Sequence, residues 1–276
     1  MFIIKKQANK HIQTFLYMFI LGVSFCSHAQ TAVPSIATIT IDNIDLSLPY
    51  TGNIEVSFKS ANPEKVIESI QEYEGIKILA EDDNIVTFSL SQSPRFIGKR
   101  KNKYKQDSFV IDFKEQSMKE FLDEFALLSQ SKINKKNSIL QVMTDYVSEY
   151  ISLPTYIHGF NFASTVATSK SGDCTEYAVL LAALARANGL SSRVIIGTVI
   201  IMDDVSVDAV GHAWTEVWYN NEWHILDAAL NNMPAQVYYM PTGELSNEGP
   251  GFAISLMENT ILMPIKIINI SGTVLR

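Results

Sequence analysis

Cysteine, glycine and proline are all scarce in this chain of 276 residues, which contains 2 cysteines, 13 glycines and 9 prolines. Two cysteines cannot build a disulfide-rich scaffold or a four-cysteine zinc site. So few glycines and prolines exclude collagen-like and low-complexity chains. Charged residues make up 18% of the chain and hydrophobic residues 47%, a balance that excludes an intrinsically disordered protein. The length suits one large domain or two small ones with an ample core.

The chain also lacks an apolar run long enough to cross a membrane comfortably. The apolar stretch at residues 15–26 is 12 residues long, against the roughly 20 that a spanning helix needs. A basic, acid-free segment precedes this stretch, and Ser27-His28-Ala29 follows it with small residues where a signal peptidase cuts. We therefore predict a signal peptide over residues 1–29 and a periplasmic or secreted protein. A membrane anchor is the alternative interpretation.

Removal of residues 1–29 changes the charge and the cysteine count. It deletes three lysines and no acidic residue, so 247 residues remain and the net charge moves from −7 to −10. Such an acidic chain is not typical of a nucleic-acid-binding protein. Because Cys26 is also removed, Cys174 is the one cysteine of the mature chain. Without an internal partner, its thiol is buried and inert, paired between chains, or reactive.

Two regions are predicted in the mature chain. Residues 30–112 show short strand patterns and one helix start at Asn62-Pro63, which indicates a small α+β or β-rich accessory region without visible chemistry. Residues 113–276 form the second region and begin with helical stripes that are most simply core. A basic run at residues 95–105 could contact a polyanionic envelope polymer or a membrane surface, and a solvated loop is the alternative.

A turn followed by strong helix formers predicts a helix that begins at Cys174. Asp173 is a good N-cap residue, and Gly172 before it permits a tight turn. Residues 179–187 are rich in leucine and alanine, so this helix should be buried, and Gly189 stands where a C-terminal cap belongs. A thiol in the first turn faces unpaired N–H groups and the positive end of the helix dipole, which favour the thiolate. On position alone, a small buried cysteine without chemistry is an equal alternative.

Three strands are predicted after this helix, at residues 193–201, 211–219 and 222–229. Asn220-Asn221 suits a two-residue hairpin turn with positive φ. Such a turn places Trp214 opposite Asp227 and leaves His212 one diagonal step from Asp227 on the same face. A buried carboxylate beside an imidazole fixes its tautomer and stabilises its protonated form.

These residues resemble the transglutaminase-like superfamily, whose fold belongs with the papain-like cysteine enzymes. The likeness rests on three motifs in order: SGDCTEYAVLLAALARANGLSSRVIIG, GHAWTEVW and EWHILDAAL. It extends roughly over residues 116–243. The resemblance implies an α+β fold in which a buried helix, with the cysteine at its N-terminus, packs on an antiparallel sheet. It further implies that Cys174 is the nucleophile, His212 the general base and Asp227 the orienting acid, with Arg193 in a structural role.

The chemistry that the resemblance implies is acyl transfer through a thioester. The Cys174 thiolate attacks an amide carbonyl, and His212 protonates the leaving amine and then activates water or an amine. The Cys174 N–H and one further donor would hold the oxyanion, with Tyr146 or Trp214 as candidates for that donor.

Four further polar residues are considered for roles outside the set of Cys174, His212 and Asp227. Glu176 and Glu216 are candidates for substrate contact, although Glu176 also suits a helix cap. His224 points to the opposite face of the hairpin, and His158 has no carboxylate pattern around it, so we expect no catalytic role for either.

Hydrolysis of a peptide or peptidoglycan-related amide is the leading functional prediction, because transfer to an amine needs a site that excludes water. A transamidase and a non-catalytic binding or assembly module of the cell envelope are the alternatives. Metal binding by Cys174, His212 and Asp227 is the weakest one, because their spacing fits no compact metal motif. We predict no cofactor and a peptide or protein amide as substrate, with a cell-envelope polymer as a further candidate partner.

Overall fold

The computed structural model describes residues 37–44, 49–133, 138–155 and 160–274. The predicted signal peptide and His158 lie outside these residues. The helices in the described ranges are α1 (Pro63–Ile70), α2 (Lys119–Lys132), α3 (Ile139–Tyr150), α4 (Ala163–Ser169), α5 (Cys174–Ala187) and α6 (Phe252–Ile261). Single 3₁₀ turns span Asn102–Lys105 and Gln116–Met118. Across these ranges, every helix is too short or too polar to traverse a bilayer.

The strands are β1 (Ala37–Ile39), β2 (Ile41–Ile44), β3 (Tyr50–Lys59), β4 (Tyr73–Asp82), β5 (Ile85–Phe96), β6 (Leu153–Pro154), β7 (Ser171–Gly172), β8 (Ser191–Met202), β9 (Val207–Tyr219), β10 (Glu222–Leu226), β11 (Gln236–Glu244) and β12 (Lys266–Val274). The helix-packed sheet has the order β1-β9-β8-β11, with β10 also paired to β9, and all its pairings are antiparallel. The N-terminal sheet has the order β2-β12-β3-β5-β4, and β6 and β7 form a short parallel pair. The mixed α+β class is confirmed.

The first and the last strand of the described chain belong to different sheets. β1 pairs with β9 in the helix-packed sheet, whereas β12 pairs with β2 and β3 in the N-terminal sheet. Segments from both sides of residue 112 therefore contribute to each sheet. The boundary between the two regions at that residue stays a prediction.

Helix α5 begins at Cys174, as the sequence predicts. The Asp173 side chain caps it by accepting a hydrogen bond from the Thr175 N–H at 3.0 Å. The helix is buried along residues 174–186 and is followed by Gly189 at φ +77°. It packs on the helix-packed sheet, where the Thr215 hydroxyl of β9 donates to its backbone. The prediction of a central buried helix is confirmed.

The β9–β10 hairpin has the predicted register. Asn220 and Asn221 form the turn at φ 48° and 68°, and Tyr219 pairs with Glu222. The last strand is shorter than predicted, because β10 ends at Leu226 rather than at residue 229. The chain turns at Asp227 instead, where a side-chain oxygen accepts two backbone N–H groups and takes the place of ladder hydrogen bonds.

Two large hydrophobic clusters support this arrangement. One lies between the helices and the helix-packed sheet and contains most of α5 together with aromatic residues of α2 and α3. The other lies between the two sheets, where Phe58 and Phe88 of the N-terminal sheet pack with Ile200 and Tyr238 of the helix-packed sheet. The helix-packed sheet is therefore covered on separate areas by α5 and by the N-terminal sheet.

Candidate active site

Strand β9 has an interval on its outer edge where neighbouring strands leave it unpaired. β1 pairs with residues 209–211 and β10 with residues 215–219, so within the described ranges residues 212–214 pair with β8 alone. The N-terminus of α5 lies at this interval. The Cys174 sulfur accepts a hydrogen bond from the Ala213 N–H and forms another with the His212 side chain. The interval therefore brings together a helix N-terminus and a strand edge.

Asp227 lies on the other side of the His212 ring. Its Oδ2 is 2.8 Å from His212 Nε2, which leaves Nδ1 as the ring nitrogen for the thiol. Its Oδ1 accepts the N–H groups of Ala229 and Leu230 at 3.0 and 3.1 Å. These contacts fix the carboxylate, and the predicted proximity of His212 and Asp227 is confirmed.

Tyr239 is a member of this group that the sequence analysis missed. Its hydroxyl donates to Asp227 Oδ2 at 3.1 Å, and its ring packs edge-on against Trp214 at 5.2 Å. Tyr239 lies on β11, which enters the sheet beside β8. No motif around Tyr239 indicates that pairing, so the sequence carried no signal for its position.

The Cys174 thiol and the His212 imidazole respond to their burial in different ways. Burial raises the pKa of the Cys174 thiol, while His212 and the Ala213 N–H act in the opposite direction. The predicted preference for thiolate at a helix N-terminus is thus opposed by a larger desolvation effect. Burial disfavours charge on His212 as well, but the Asp227 carboxylate and Cys174 outweigh it and raise the His212 pKa to about 10. The surroundings of His212 therefore favour its protonated form.

The group is closed to solvent. Cys174 and His212 have no exposed surface, and Asp227 is 9% exposed. A substrate carbonyl can reach the sulfur only after a local opening of the surrounding chain.

Glu176 uses its carboxylate inside the protein. Oε2 accepts the Asp173 N–H at 2.9 Å, which completes a capping box, and Oε1 accepts the Asn161 N–H at 2.9 Å. The side chain is fully buried, and burial raises its pKa to about 7. These contacts join the start of α5 to the segment before α4, so Glu176 positions the helix end that carries Cys174.

Gly172 is required for a different reason from the predicted one. Its φ is not in the left-handed region, but a Cβ at this position would lie 2.2 Å from the Cβ of Glu176. Close packing against Glu176, rather than a tight turn, requires glycine here.

The two candidates for an oxyanion donor have different surroundings. The Tyr146 hydroxyl donates to the Phe121 carbonyl of α2 at 2.8 Å and so takes part in helix packing. The Trp214 ring is stacked beside the His212 ring, with 6.5 Å between centroids and 19° between planes. Trp214 therefore adjoins the group, and the oxyanion roles of both residues stay predictions.

Glu216 is part of a buried ion pair. Its Oε2 accepts Arg193 Nε at 2.9 Å, and its Oε1 accepts the Tyr73 hydroxyl at 3.1 Å. The Arg193 guanidinium also lies 3.3 Å from the centroid of the Phe96 ring. Glu216 thus links the helix-packed sheet to β4 and β5 of the N-terminal sheet and has no free carboxylate oxygen for a substrate.

Comparisons with known proteins locate this group in a recognised segment. Residues 126–228 match the model of the transglutaminase-like superfamily, a narrower span than the resemblance predicted. Among curated proteins, no sequence matches the chain.

Solved structures with detectable likeness are distant. A provisionally assigned cysteine protease from Cytophaga hutchinsonii is 13% identical, with 68% of this chain and 79% of that chain covered and a TM-score of 0.34. The periplasmic domain of TgpA from Pseudomonas aeruginosa is 12% identical, with 68% and 91% covered and a TM-score of 0.39. The segment that matches the transglutaminase-like superfamily, residues 126–228, contains Cys174, His212 and Asp227.

Proposed function

We propose that this protein is an exported thiol enzyme that hydrolyses an amide bond of a peptide or peptidoglycan-related substrate through a thioester at Cys174. The observation that carries the proposal is the unbroken series of contacts from the Cys174 sulfur through the His212 ring to the Asp227 carboxylate. A nucleophile, a base and a residue that orients the base, all in hydrogen-bond contact, are the parts that covalent acyl transfer requires.

The first half of the reaction forms the thioester. Local opening relieves the desolvation of the sulfur, and the thiol gives its proton to water and forms a thiolate beside the protonated His212. The thiolate attacks the amide carbonyl, and the Cys174 N–H, which has no acceptor within its helix, donates to the oxyanion. His212 then gives its proton to the leaving amine as the carbon–nitrogen bond breaks.

The second half releases the acid. Neutral His212 takes a proton from water, the resulting hydroxide attacks the thioester carbonyl, and the carbon–sulfur bond breaks to restore the thiolate beside protonated His212. Asp227 keeps Nε2 engaged in both halves, so that Nδ1 faces the reacting atoms.

Export and the substrate class rest on the sequence. The signal-like residues 1–29 favour a periplasmic or secreted location, where peptide and peptidoglycan-related amides are accessible.

A thioester trap tests this proposal. The full chain is incubated with envelope extract, quenched in acid and analysed by mass spectrometry. We expect an acyl adduct on a Cys174-containing peptide that hydroxylamine removes and that Cys174→Ala lacks. His224→Ala is the matched control, because His224 lies in the same hairpin yet bonds to the Tyr219 carbonyl. Release of free acid supports hydrolysis, whereas incorporation of an added primary amine supports the transamidase instead.

A non-catalytic binding module is a second candidate function, and complete burial of Cys174 and His212 favours it. In that case no fraction of the extract yields an adduct, although the protein still retains an envelope component on an affinity column. The same retention by Cys174→Ala would then show that binding does not need the thiol.

A further inference from the structure

The basic run at residues 95–105 is held against the protein. Lys103 forms an ion pair with Glu244 at 2.9 Å. The Trp223 indole N–H donates to the Gly98 carbonyl at 3.2 Å. Because these contacts anchor the run at two points, the positions of its remaining cations are set by the fold rather than by a free loop.

Two cations of this run line one cavity. Arg100 and Lys105 are both exposed in a cavity of about 360 Å³. Arg95, Lys101 and Lys103 of the same run form ion pairs, whereas no ion pair in the described part of the chain engages Arg100 or Lys105. No carboxylate lines the cavity. It is therefore a locally positive site on a protein whose predicted mature net charge is −10.

One residue that lines the cavity has a buried hydroxyl. Ser191 is 1% exposed, and its Oγ has no hydrogen-bond partner among the described residues. Ser191 pairs across the sheet with Trp218, whose ring lies 5.8 Å from the Arg100 guanidinium. A buried polar atom without a partner is costly, and a ligand atom that reached the Ser191 hydroxyl would supply the missing hydrogen bond.

The hairpin turn completes the lining. Asn220 and Asn221 contribute to the cavity, and Tyr219 beside them adds an aromatic ring. Amide side chains and a hydroxyl bind the hydroxyl groups of a ligand, aromatic rings contact its apolar faces, and arginine and lysine bind a carboxylate or phosphate. This combination matches a sugar that carries one acidic group.

We propose that this cavity binds an anionic sugar unit, with its acidic group on Arg100 and Lys105 and its hydroxyls on Ser191 and the turn amides. The volume lies near the lower end of the roughly 300–1,000 Å³ of ligand pockets, which suits a single unit. Gly189, just beyond the C-terminus of α5, also lines the cavity. Since α5 has 14 residues, the cavity lies about 20 Å from Cys174, beyond the reach of the thiol.

Ligand-observed NMR and calorimetry on the full chain test this proposal without any need for turnover. The probes are glucuronate, glucose 6-phosphate, neutral glucose and N-acetylglutamate. We expect saturable binding of one or both acidic sugars, and their relative affinities distinguish a carboxylate from a phosphate source. Arg100→Gln and Lys105→Gln should each weaken binding about tenfold, as loss of a charge-assisted contact predicts. Ser191→Ala should weaken it less.

Lys99→Gln is the matched control, because it removes the same charge from a neighbouring exposed residue that does not line the cavity. Unchanged binding by this variant supports the site. An equal loss in Lys99→Gln would show non-specific attraction to the basic run and overturn the proposal. Absence of saturable binding by either acidic sugar would also overturn it, as would binding of N-acetylglutamate with equal affinity.

Discussion

Strand β9 contributes one residue to each of two buried ionic groups on the same face of the strand. The two groups differ in the residues that contact the charge pair. Glu216 is bonded to Arg193 and to the Tyr73 hydroxyl, and the guanidinium is further covered by the Phe96 ring. His212 is bonded to Asp227 and to the Cys174 sulfur. Burial and ion pairing are common to both groups. A tyrosine and a phenylalanine surround the charge pair of the first group, whereas a thiol contacts that of the second.

The comparison shows that a buried charge pair by itself does not mark a reaction centre. Both pairs carry a desolvation cost that good geometry offsets. The Arg193 group joins two sheets and has no group that reacts with a carbonyl. The His212 group lies where β9, in the described part of the chain, pairs with β8 alone, and a helix end supplies a thiol there. The chemical type of the residue that joins each charge pair makes the difference.

The largest effect should come from removal of the base. His212→Ala should slow iodoacetamide alkylation of Cys174 and thioester formation by about 10²–10⁴-fold, because the imidazole both stabilises the thiolate and transfers the proton. His224→Ala should leave both rates unchanged. Equal rates in the wild type and His212→Ala across pH 6–9 would contradict the role of His212 and make its group equivalent to the Arg193 group.

The next effect concerns stability rather than rate. Arg193→Met leaves Glu216 buried without its cation and should lower the free energy of unfolding by about 3–5 kcal/mol in urea titrations. The alkylation rate per folded molecule should stay at the wild-type value. A double change of Arg193→Met and Glu216→Leu should restore much of the stability. If the single variant instead lost alkylation at full stability, the Arg193 group would belong to the reaction centre.

Glu176 provides a pH test of the helix end. Its pKa in the folded protein is about 7, above that of an exposed glutamate, so the folded state binds the proton more tightly than the unfolded state does. Its contribution to stability is therefore full at low pH and falls as pH rises through 7, by at most about 1.4 kcal/mol per pH unit. Glu176→Gln should remove this slope from unfolding titrations between pH 4.5 and 7.5. An identical slope in both proteins would assign it to another group.

The smallest effect should come from Tyr239→Phe. This variant removes one of the four hydrogen bonds that Asp227 accepts and keeps the ring that packs on Trp214. We expect a loss of about 1.5 kcal/mol in the free energy of unfolding and a change of less than tenfold in alkylation rate. A loss of rate as large as that of His212→Ala would mean that Tyr239 acts on the reacting atoms.

Several parts of the site were predictable from the sequence because they depend on near neighbours. The start of α5 follows from Asp173 and the leucine- and alanine-rich run after it. The hairpin register follows from Asn220-Asn221 and from the alternation of side chains in strands. Together these place His212 and Asp227, 15 residues apart, on one face.

Other parts were not predictable because they depend on distant pairings. Tyr239 reaches Asp227 through the β11–β8 pairing, and Glu216 meets Tyr73 across 143 residues. The candidate roles of Glu176 and Glu216 in substrate contact were inferred from proximity in sequence, which does not report whether a carboxylate is already satisfied. The sequence pattern at Gly172 is typical of a turn. Glycine is required there, however, because the Glu176 side chain packs closely against it.

The sequence by itself determined the set of residues on which the proposal rests: one thiol in the predicted mature chain, at a helix start, with a histidine and an aspartate on one hairpin face. These are local properties, set by capping, turn geometry and the two-residue period of a strand. Only the tertiary structure decided that the thiol meets the histidine where β9, among the described strands, pairs with β8 alone, and that burial raises the thiol pKa. Both depend on which strands flank β9 and on how completely the chain excludes water, which no local pattern encodes.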